Sequence, residues 1–194
     1  ALTTNTTGAE NTAVGAEALE QVTTGSYNAA LGYRAGDSIT TGSYNVAMGR
    51  RALDSVTTTD QNVAIGASAL ENYTGASNTA VGHAALAFCT TGSGNTAVGL
   101  LAGYDLTTAV QNTLVGAYAG ANITTGNNNV LVGYNAGVAI TTGTPNVAIG
   151  VSALSQCDGG VDNVAIGPNS LLSADGGGNY NTALGSGAGY YIST

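Results

Sequence analysis

One five-residue phrase recurs along the whole chain and restricts what it can fold into. The phrase is Asn, then Thr, Val or Ala, then Ala or Leu, then a larger apolar residue, then Gly. It begins at Asn11, Asn28, Asn45, Asn62, Asn78, Asn95, Asn112, Asn129, Asn146, Asn163 and Asn181. The steps are 17 residues, apart from one of 16 after Asn62 and one of 18 after Asn163. Because a fixed short period is typical of a solenoid, residues 1–194 are predicted to form a single repeat domain of eleven rungs.

The composition of each rung predicts its secondary structure. If Asn is position 1, the run from position 2 to position 4 is short, partly β-branched and bounded by Asn and Gly, which predicts a strand. The recurring Ile-Thr-Thr or Val-Thr-Thr phrase predicts a second short strand near positions 11 to 14, before a corner Gly at position 15. Frequent Gly, Thr and Val disfavour a helix. We therefore predict an all-β fold, a parallel β-solenoid or β-roll whose equivalent residues stack.

The apolar residues predict how the narrow core is filled. We expect position 4, position 12 and the Leu often found at position 9 to lie inside the rung. The asparagines should form an inward ladder of stacked amides. Positions 2 to 4 are all apolar or Thr, which is typical of a strand covered on both faces. One face would need a partner, which the Ala columns at positions 3 and 8 would let approach closely. This predicts an oligomer with cyclic symmetry about the rod axis.

Charge is scarce, and this excludes several classes of partner. Charged residues make up 7% of the chain, the net charge is −8, and Arg34, Arg50 and Arg51 are the only basic residues besides one His. This composition argues against nucleic-acid binding and against docking on an anionic membrane. No apolar run approaches the roughly 18 residues of a membrane span, so we expect no membrane insertion by this chain.

The two cysteines, Cys89 and Cys157, share position 12 and lie four rungs apart. Stacked strands are separated by about 4.8 Å, so their Cα atoms should be roughly 19 Å apart. A disulfide requires less than about 7 Å. We therefore predict two free thiols that are buried as small apolar residues.

The phrase Asn-Val-Ala-Ile-Gly at 62–66, 146–150 and 163–167, with the Gly-x-x-Ala continuation seen at 66–69, resembles the repeat of YadA-like heads in trimeric autotransporter adhesins. Similar arrays occur in phage tail-fibre-like proteins and large bacterial surface proteins. The resemblance implies a homotrimer of left-handed parallel β-rolls at a cell or virion surface. The rung is longer than in those heads because of an extra Thr-Thr-Gly segment.

Catalytic chemistry has few residues to use. His83 is the only histidine and sits at position 6, where we expect a surface residue. Cys89 is six residues away but is expected in the core, away from a nucleophile's role. We therefore expect neither a catalytic residue nor a cofactor, and we do not expect an enzyme.

Four acidic residues form a column at position 10 of successive rungs: Glu20, Asp37, Asp54 and Glu71. Stacked carboxylates could bind a hard cation such as calcium. The alternative is a solvated column partly neutralised by Arg34 and Arg51, with Glu17 pairing to Arg34. The segments 158–160 and 175–177 resemble fragments of calcium-binding loops and are expected to be turns.

Two surface features could contact a ligand. Thr pairs recur at positions 13 and 14, and each pair should supply one outward Thr column. Such an array resembles the ice-binding face of solenoid antifreeze proteins, the alternative being β-propensity with hydroxyl ladders. Tyr27, Tyr33, Tyr44 and Tyr134 lie near rung corners, where exposed rings could stack on a glycan or contact a protein of a host surface.

Three functional hypotheses follow. The first is a structural and adhesive extracellular rod that presents repeated shallow sites and gains avidity from their number. The second is an extracellular filament subunit, since neither end shows a polar cap; covered ends in a head-to-tail stack and a cut from a longer chain are both consistent with this. The third is an ice-binding solenoid that uses its Thr ladders.

Overall fold

The computed structural model describes residues 1–174 and 178–192. Within these residues there is no helix, and so no segment that could cross a membrane as a long apolar helix. The strands are β1 (Thr12–Val14), β2 (Ala29–Leu31), β3 (Val46–Met48), β4 (Val63–Ile65), β5 (Thr79–Val81), β6 (Thr96–Val98), β7 (Thr113–Val115), β8 (Val130–Val132), β9 (Asn146–Ile149), β10 (Asn163–Ile166), β11 (Ser173–Ala174), β12 (Thr182–Leu184) and β13 (Tyr191–Ile192).

Eleven strands form one parallel sheet in chain order, from β1 to β10 and then β12. Each strand residue pairs with the equivalent residue of the next rung, so Val46 pairs with Val63 and Ala47 with Ala64. The 16-residue and 18-residue steps keep the same pairing, as in Val63 opposite Thr79. The predicted parallel β-solenoid is therefore confirmed, with one strand per rung in the main sheet.

The predicted second strand at positions 11 to 14 is wrong for most rungs. The only strand pair there is β11 with β13, and the equivalent residues of the other described rungs form turns and bends. The carbonyl of Thr40 shows the reason, because it accepts the backbone amides of Thr23, Thr24 and Gly25 at 2.9, 3.3 and 3.2 Å. A backbone that curls around one acceptor cannot form an extended ladder.

Glycine is required at position 5 for two reasons at once. Gly66 has a φ of +133°, and a Cβ added there would lie 2.4 Å from the carbonyl oxygen of Gly82 in the next rung. At position 15 the reason is close approach alone, since a Cβ on Gly25 would lie 2.2 Å from the Gly42 oxygen. Stacking at the β-sheet spacing therefore leaves no room for a side chain at Gly66 or Gly25 as the backbone stands.

The core is filled from positions 3, 8, 9 and 12. Ala64, Ala69 and Leu70 are fully buried and represent the first three of these columns. The fourth column is buried at Val22, Ile39, Val56, Tyr73, Cys89, Leu106, Ile123, Ile140 and Cys157. The prediction that position 4 lies inside was wrong, as was the expectation that the Ala columns at positions 3 and 8 would receive a partner. Asn at position 1 points inward, so strand alternation turns position 3 inward and position 4 outward.

The asparagines form a continuous ladder through the rod. The Oδ1 atom of Asn28 accepts the backbone N–H of Asn45 at 3.0 Å and its Nδ2 at 3.1 Å, and this pattern repeats along the ladder except at Asn78, where only the backbone N–H donates to the preceding asparagine. The Nδ2 of Asn28 also donates to the Gly42 carbonyl at 2.8 Å. Each inner asparagine thereby finds hydrogen-bond partners for the atoms of its own side-chain amide, and it provides an acceptor for the backbone N–H of the next asparagine.

In the 16-residue rung, which is one residue shorter than the usual rung, the core contains a buried tyrosine. Tyr73 occupies position 12, is fully buried, and donates its hydroxyl to the carbonyl of Gly92 at 2.8 Å. The same hydroxyl accepts a hydrogen bond from Nδ2 of Asn78. The phenol thus fills the core and joins the ladder at the one step where a threonine is missing.

Candidate functional site

The outer face of the main sheet is a regular surface that runs along the rod. We define it by the outward side chains at positions 2 and 4 of the eleven rungs. The side chains at position 4 are apolar yet exposed: 47% of the surface of Leu31 and 39% of that of Ile149 is accessible. Exposed apolar columns of this kind mark interaction surfaces more often than scattered single residues do.

The outer face carries no charged residue in any of its rows. Position 2 holds Thr, Ala or Val, and position 4 holds Val, Leu, Met or Ile. Near one end the small side chain of Ala29 leaves a shallow depression, which is lined by Thr12, Val14, Ala29, Ala30, Leu31 and Met48. The face therefore offers apolar contact along its whole length and a recess for an inserted side chain.

Two edges flank the outer face. The leading edge, which precedes each strand, consists of positions 16 and 17, and the trailing edge, which follows it, consists of position 6. Position 17 adopts positive φ in many rungs, as in Tyr27 with +59° and Tyr44 with +61°, so successive side chains project alike. The trailing edge is exposed and apolar at Leu100, Tyr134 and Val151.

The tyrosines named as ligand candidates occupy these edges. Tyr27 and Tyr44 are 46% and 57% exposed, and their rings stack with centroids 4.8 Å apart and planes 5° apart. Tyr134 packs edge-on against Tyr118, with centroids 6.1 Å apart. Tyr33 is also exposed, on the trailing edge. The structure thus brings Tyr27 and Tyr44 together and leaves Tyr33 and Tyr134 at separate places.

The acidic column is bound by arginines of its own chain. Asp54 is only 4% exposed and receives Arg51 Nε at 3.0 Å and Arg34 Nη2 at 3.5 Å. Arg34 also contacts Asp37 at 3.0 Å and Glu17 at 3.5 Å, as the sequence predicted for Glu17. The hydrogen bond that Arg34 donates to the Asp37 carboxylate and the nearby Asp54 carboxylate raise the pKa of Arg34, so this arginine stays charged.

Of the remaining two carboxylates of the column, Glu71 also pairs with an arginine, whereas Glu20 contacts a threonine. Glu71 contacts Arg51 at 2.8 Å, and Glu20 accepts a hydrogen bond from the Thr3 hydroxyl at 3.4 Å. Over residues 1–174 and 178–192, no group of three or more His, Cys, Asp and Glu residues could hold a metal ion. Guanidinium groups of Arg34 and Arg51 contact three of the four carboxylates that were candidates for calcium, namely Asp37, Asp54 and Glu71.

The threonine pairs present one exposed column. At position 13 the hydroxyl donates to the backbone of the next rung, as Thr40 Oγ1 does to the Thr57 carbonyl at 3.0 Å. At position 14 the residue is exposed, as at Thr41 and Thr108. The position-13 hydroxyl donates to the backbone of the next rung at Thr23, Thr40, Thr90, Thr107 and Thr124, so a two-column array of free hydroxyls does not form along these rungs.

The thiols and the histidine stand apart from one another. Cys89 and Cys157 are free and fully buried, which confirms the prediction for both. Burial raises the pKa of the Cys89 thiol to about 12 and raises that of Cys157, which keeps both as unreactive thiols. His83 is exposed on the trailing edge.

Of the two acidic Gly-Gly segments, only one can be described. Asp158 lies in a turn, where it accepts a hydrogen bond from the Thr141 hydroxyl. The segment 175–177 lies outside the described residues.

Two features were missed in the sequence. The outward direction of position 4 could have been found from the parity of Asn at position 1 and Ala at position 3. Tyr73 could have been found by counting twelve positions from Asn62 in the short rung.

Comparison of the chain with protein-family models, with curated proteins and with solved structures gives no match.

Proposed function

We propose that this chain is a structural and adhesive rod of a cell or virion surface, and that it self-associates through the outer face of its sheet. The observation that carries the proposal is an apolar, uncharged face that runs over all eleven strands of a chain whose own core is already filled. The proposed location comes from the resemblance to surface adhesins and phage fibres.

The size of the outer face fits a second copy of the chain. Eleven strands at about 4.8 Å make it about 50 Å long, and three strand residues make it about 10 Å wide. That is on the order of 500 Å² per copy and 1,000 Å² per pair, the size at which specific interfaces begin. We propose a homotrimer as the closed form, since a cyclic arrangement lets every copy cover its apolar face.

The adhesive part of the proposal rests on the edges of the face. The stacked pair Tyr27 and Tyr44 offers exposed aromatic surface and two hydroxyls, flanked in the same column by Glu10 and Gln61, which are exposed too. Aromatic rings with adjacent polar groups suit the apolar and hydroxyl faces of a sugar. An assembly of several chains would carry several such tyrosine pairs, so its overall affinity for a glycan surface would exceed that of one weak contact through avidity.

The mass of the protein in solution tests self-association. Light scattering after size exclusion should give about three times 18.9 kDa. Val132→Asp, which places a charge on the outer face, should dissociate the assembly without unfolding the chain, whereas Thr108→Asp, on another exposed surface, should not. A wild-type monomer contradicts the proposal, and concentration-dependent polymers would support the filament instead.

Binding to an array of glycans tests adhesion. Tyr44→Ala should remove binding, and Tyr180→Ala is the matched control, because Tyr180 also directly precedes a ladder asparagine but lies at a distant rung. Loss of binding in both variants, or in neither, contradicts a site at the stacked pair. Thermal hysteresis in the same preparation would support the ice-binding alternative.

A further inference from the structure

Arg50 stands out among the three arginines because no described acidic residue pairs with it. Arg34 and Arg51 each contact two or more carboxylates, whereas Arg50 forms no ion pair among the described residues. It is exposed and lies at position 6, on the trailing edge of the outer face. A guanidinium at the rim of an apolar face is well placed to meet a carboxylate on a partner.

Asp60 is the matching group on the opposite edge. It is exposed at position 16, on the leading edge, and it forms no ion pair among the described residues. One of its oxygens, Oδ1, accepts the backbone N–H of Ser43 at 2.7 Å, which fixes the carboxylate in place. The second oxygen is left for an outside donor.

We infer that copies of this chain associate with parallel rods in the same register, and that Arg50 of each copy pairs with Asp60 of the next. This inference rests on the proposed self-association and names its geometry. A symmetry axis along the rod brings the trailing edge of one copy against the leading edge of its neighbour at the same height. Arg50 follows β3 and Asp60 precedes β4, so the two lie about one strand spacing, roughly 4.8 Å, apart along the axis.

Antiparallel rods do not provide this pairing. A two-fold axis along the strand direction would bring trailing edge against trailing edge. Position 6 holds Ala16, Tyr33, Arg50, Ala67, His83, Leu100, Ala117, Tyr134, Val151, Pro168 and Ser186, none of which is acidic. Arg50 would then be desolvated without a counter-charge, which is unfavourable. The parallel register is therefore the arrangement that satisfies both the apolar face and its charges.

A charge-exchange series tests the register. Arg50→Asp and Asp60→Arg should each raise the dissociation constant of the assembly about tenfold, and the double variant should return it to within about threefold of wild type. The dissociation constant is measured by analytical ultracentrifugation at low and at high salt, and salt should reduce the difference. Equal constants for all variants, or a double variant weaker than either single one, would overturn the inference.

Two controls separate this result from other causes. Asp60→Asn keeps an oxygen for the Ser43 amide but removes the charge, so it should weaken association while leaving the thermal midpoint of unfolding unchanged. Asp162→Arg changes an exposed leading-edge aspartate that has no basic residue on the trailing edge nearby, and it should leave the dissociation constant unchanged. A monomeric wild type would defeat the proposed function itself, whereas an assembly that is indifferent to Arg50 and Asp60 would defeat only the register.

Discussion

Leu114 fills the space beside Gly120: its Cδ2 atom lies 2.9 Å from the place that a Cβ atom of residue 120 would occupy. Most rungs combine Ala at position 3 with Leu at position 9, as Ala64 does with Leu70, and both are fully buried. The rungs that start at Asn112 and Asn129 reverse the two sizes. In these two rungs the volume of the core is kept while the residue that supplies it changes, as close packing requires.

The reversal predicts a partial rescue between these two positions. Leu114→Ala should destabilise the fold by about 2–5 kcal/mol through the cavity it leaves, and Gly120→Leu should destabilise it by about 1–3 kcal/mol through overpacking. The double variant should be more stable than the sum of the two losses predicts. Rescue should be incomplete, since Leu131 Cδ1 also lies 3.0 Å from the added Cβ. Urea denaturation of the four proteins measures this, and strictly additive losses would contradict the shared volume.

The asparagine ladder should be most sensitive at its centre. Asn62→Ala removes the acceptor for the backbone N–H of Asn78, a bond of 3.0 Å, and the amide donated to Asn45. Each buried group left without a partner costs about 1–3 kcal/mol. Asn11→Ala is the matched change at a partly exposed terminal rung, where water can replace the lost acceptor. We expect the denaturation midpoint to fall clearly more for Asn62→Ala, and an equal fall would contradict burial as the cause.

Comparison of Gly66 with Gly185 distinguishes the two reasons for a glycine at position 5, which are positive φ and close approach of the next rung. Both have positive φ, +133° and +122°, but a Cβ on Gly66 would overlap the Gly82 carbonyl whereas one on Gly185 would meet no atom of the described residues within 4 Å. Gly185→Ala should therefore cost only backbone strain, about 1–3 kcal/mol. Gly66→Ala should add a steric clash with the next rung and prevent native stacking. Circular dichroism and thermal melting distinguish the two, and similar melting curves would mean that strain alone decides.

The buried thiols predict a dependence of stability on alkaline pH. Burial raises the pKa of Cys89 to about 12, whereas a thiol in an unfolded chain has a pKa of about 8.5. The unfolded state therefore releases this proton first. The contribution of the neutral Cys89 thiol to the free energy of unfolding is fully present below about pH 8.5. It is lost at up to about 1.4 kcal/mol per pH unit as the pH rises towards 12.

The measurement is the difference in unfolding free energy between wild type and Cys89→Ala as a function of pH. This difference isolates the thiol from the tyrosines, which also titrate in that range. A thiol-specific reagent provides a second check, because both cysteines should react only after denaturation. Fast labelling of the native protein, or a difference that does not change with pH, would show that the thiols are not buried as described.

The parity of the strand explains where prediction from sequence was right and where it was wrong. The asparagine column was correctly expected inside, yet position 4 was expected there too, although alternation places positions 1 and 3 on one side and positions 2 and 4 on the other. Val, Ile and Met at position 4 resemble core residues by composition alone. Ala at position 3 is small enough to suggest a close approach, and its burial was visible only once the rung was closed.

The ion pairs show a similar limit. The spacing of Glu17 and Arg34 was enough to predict their contact, because equivalent positions stack. The shared contact of Arg34 and Arg51 with Asp54 depends on how the side chains bend between rungs, which the period alone does not specify. Likewise, the stacking of Tyr27 on Tyr44 follows from a common positive φ, a backbone conformation that their sequence positions did not reveal.

The sequence by itself determined the number of rungs, the parallel register and the inward asparagine column, because a strict period forces equivalent residues onto one another. Strand alternation already assigns position 4 to the outside once the asparagines point inward, and only the tertiary structure decided how much of that apolar column is exposed, since that depends on how each rung closes. It also decided that positions 11 to 14 curl around a shared carbonyl instead of pairing as a strand. Periodicity fixes neighbours along the rod, whereas the path of the backbone around the rung fixes what lies inside and what is left for a partner.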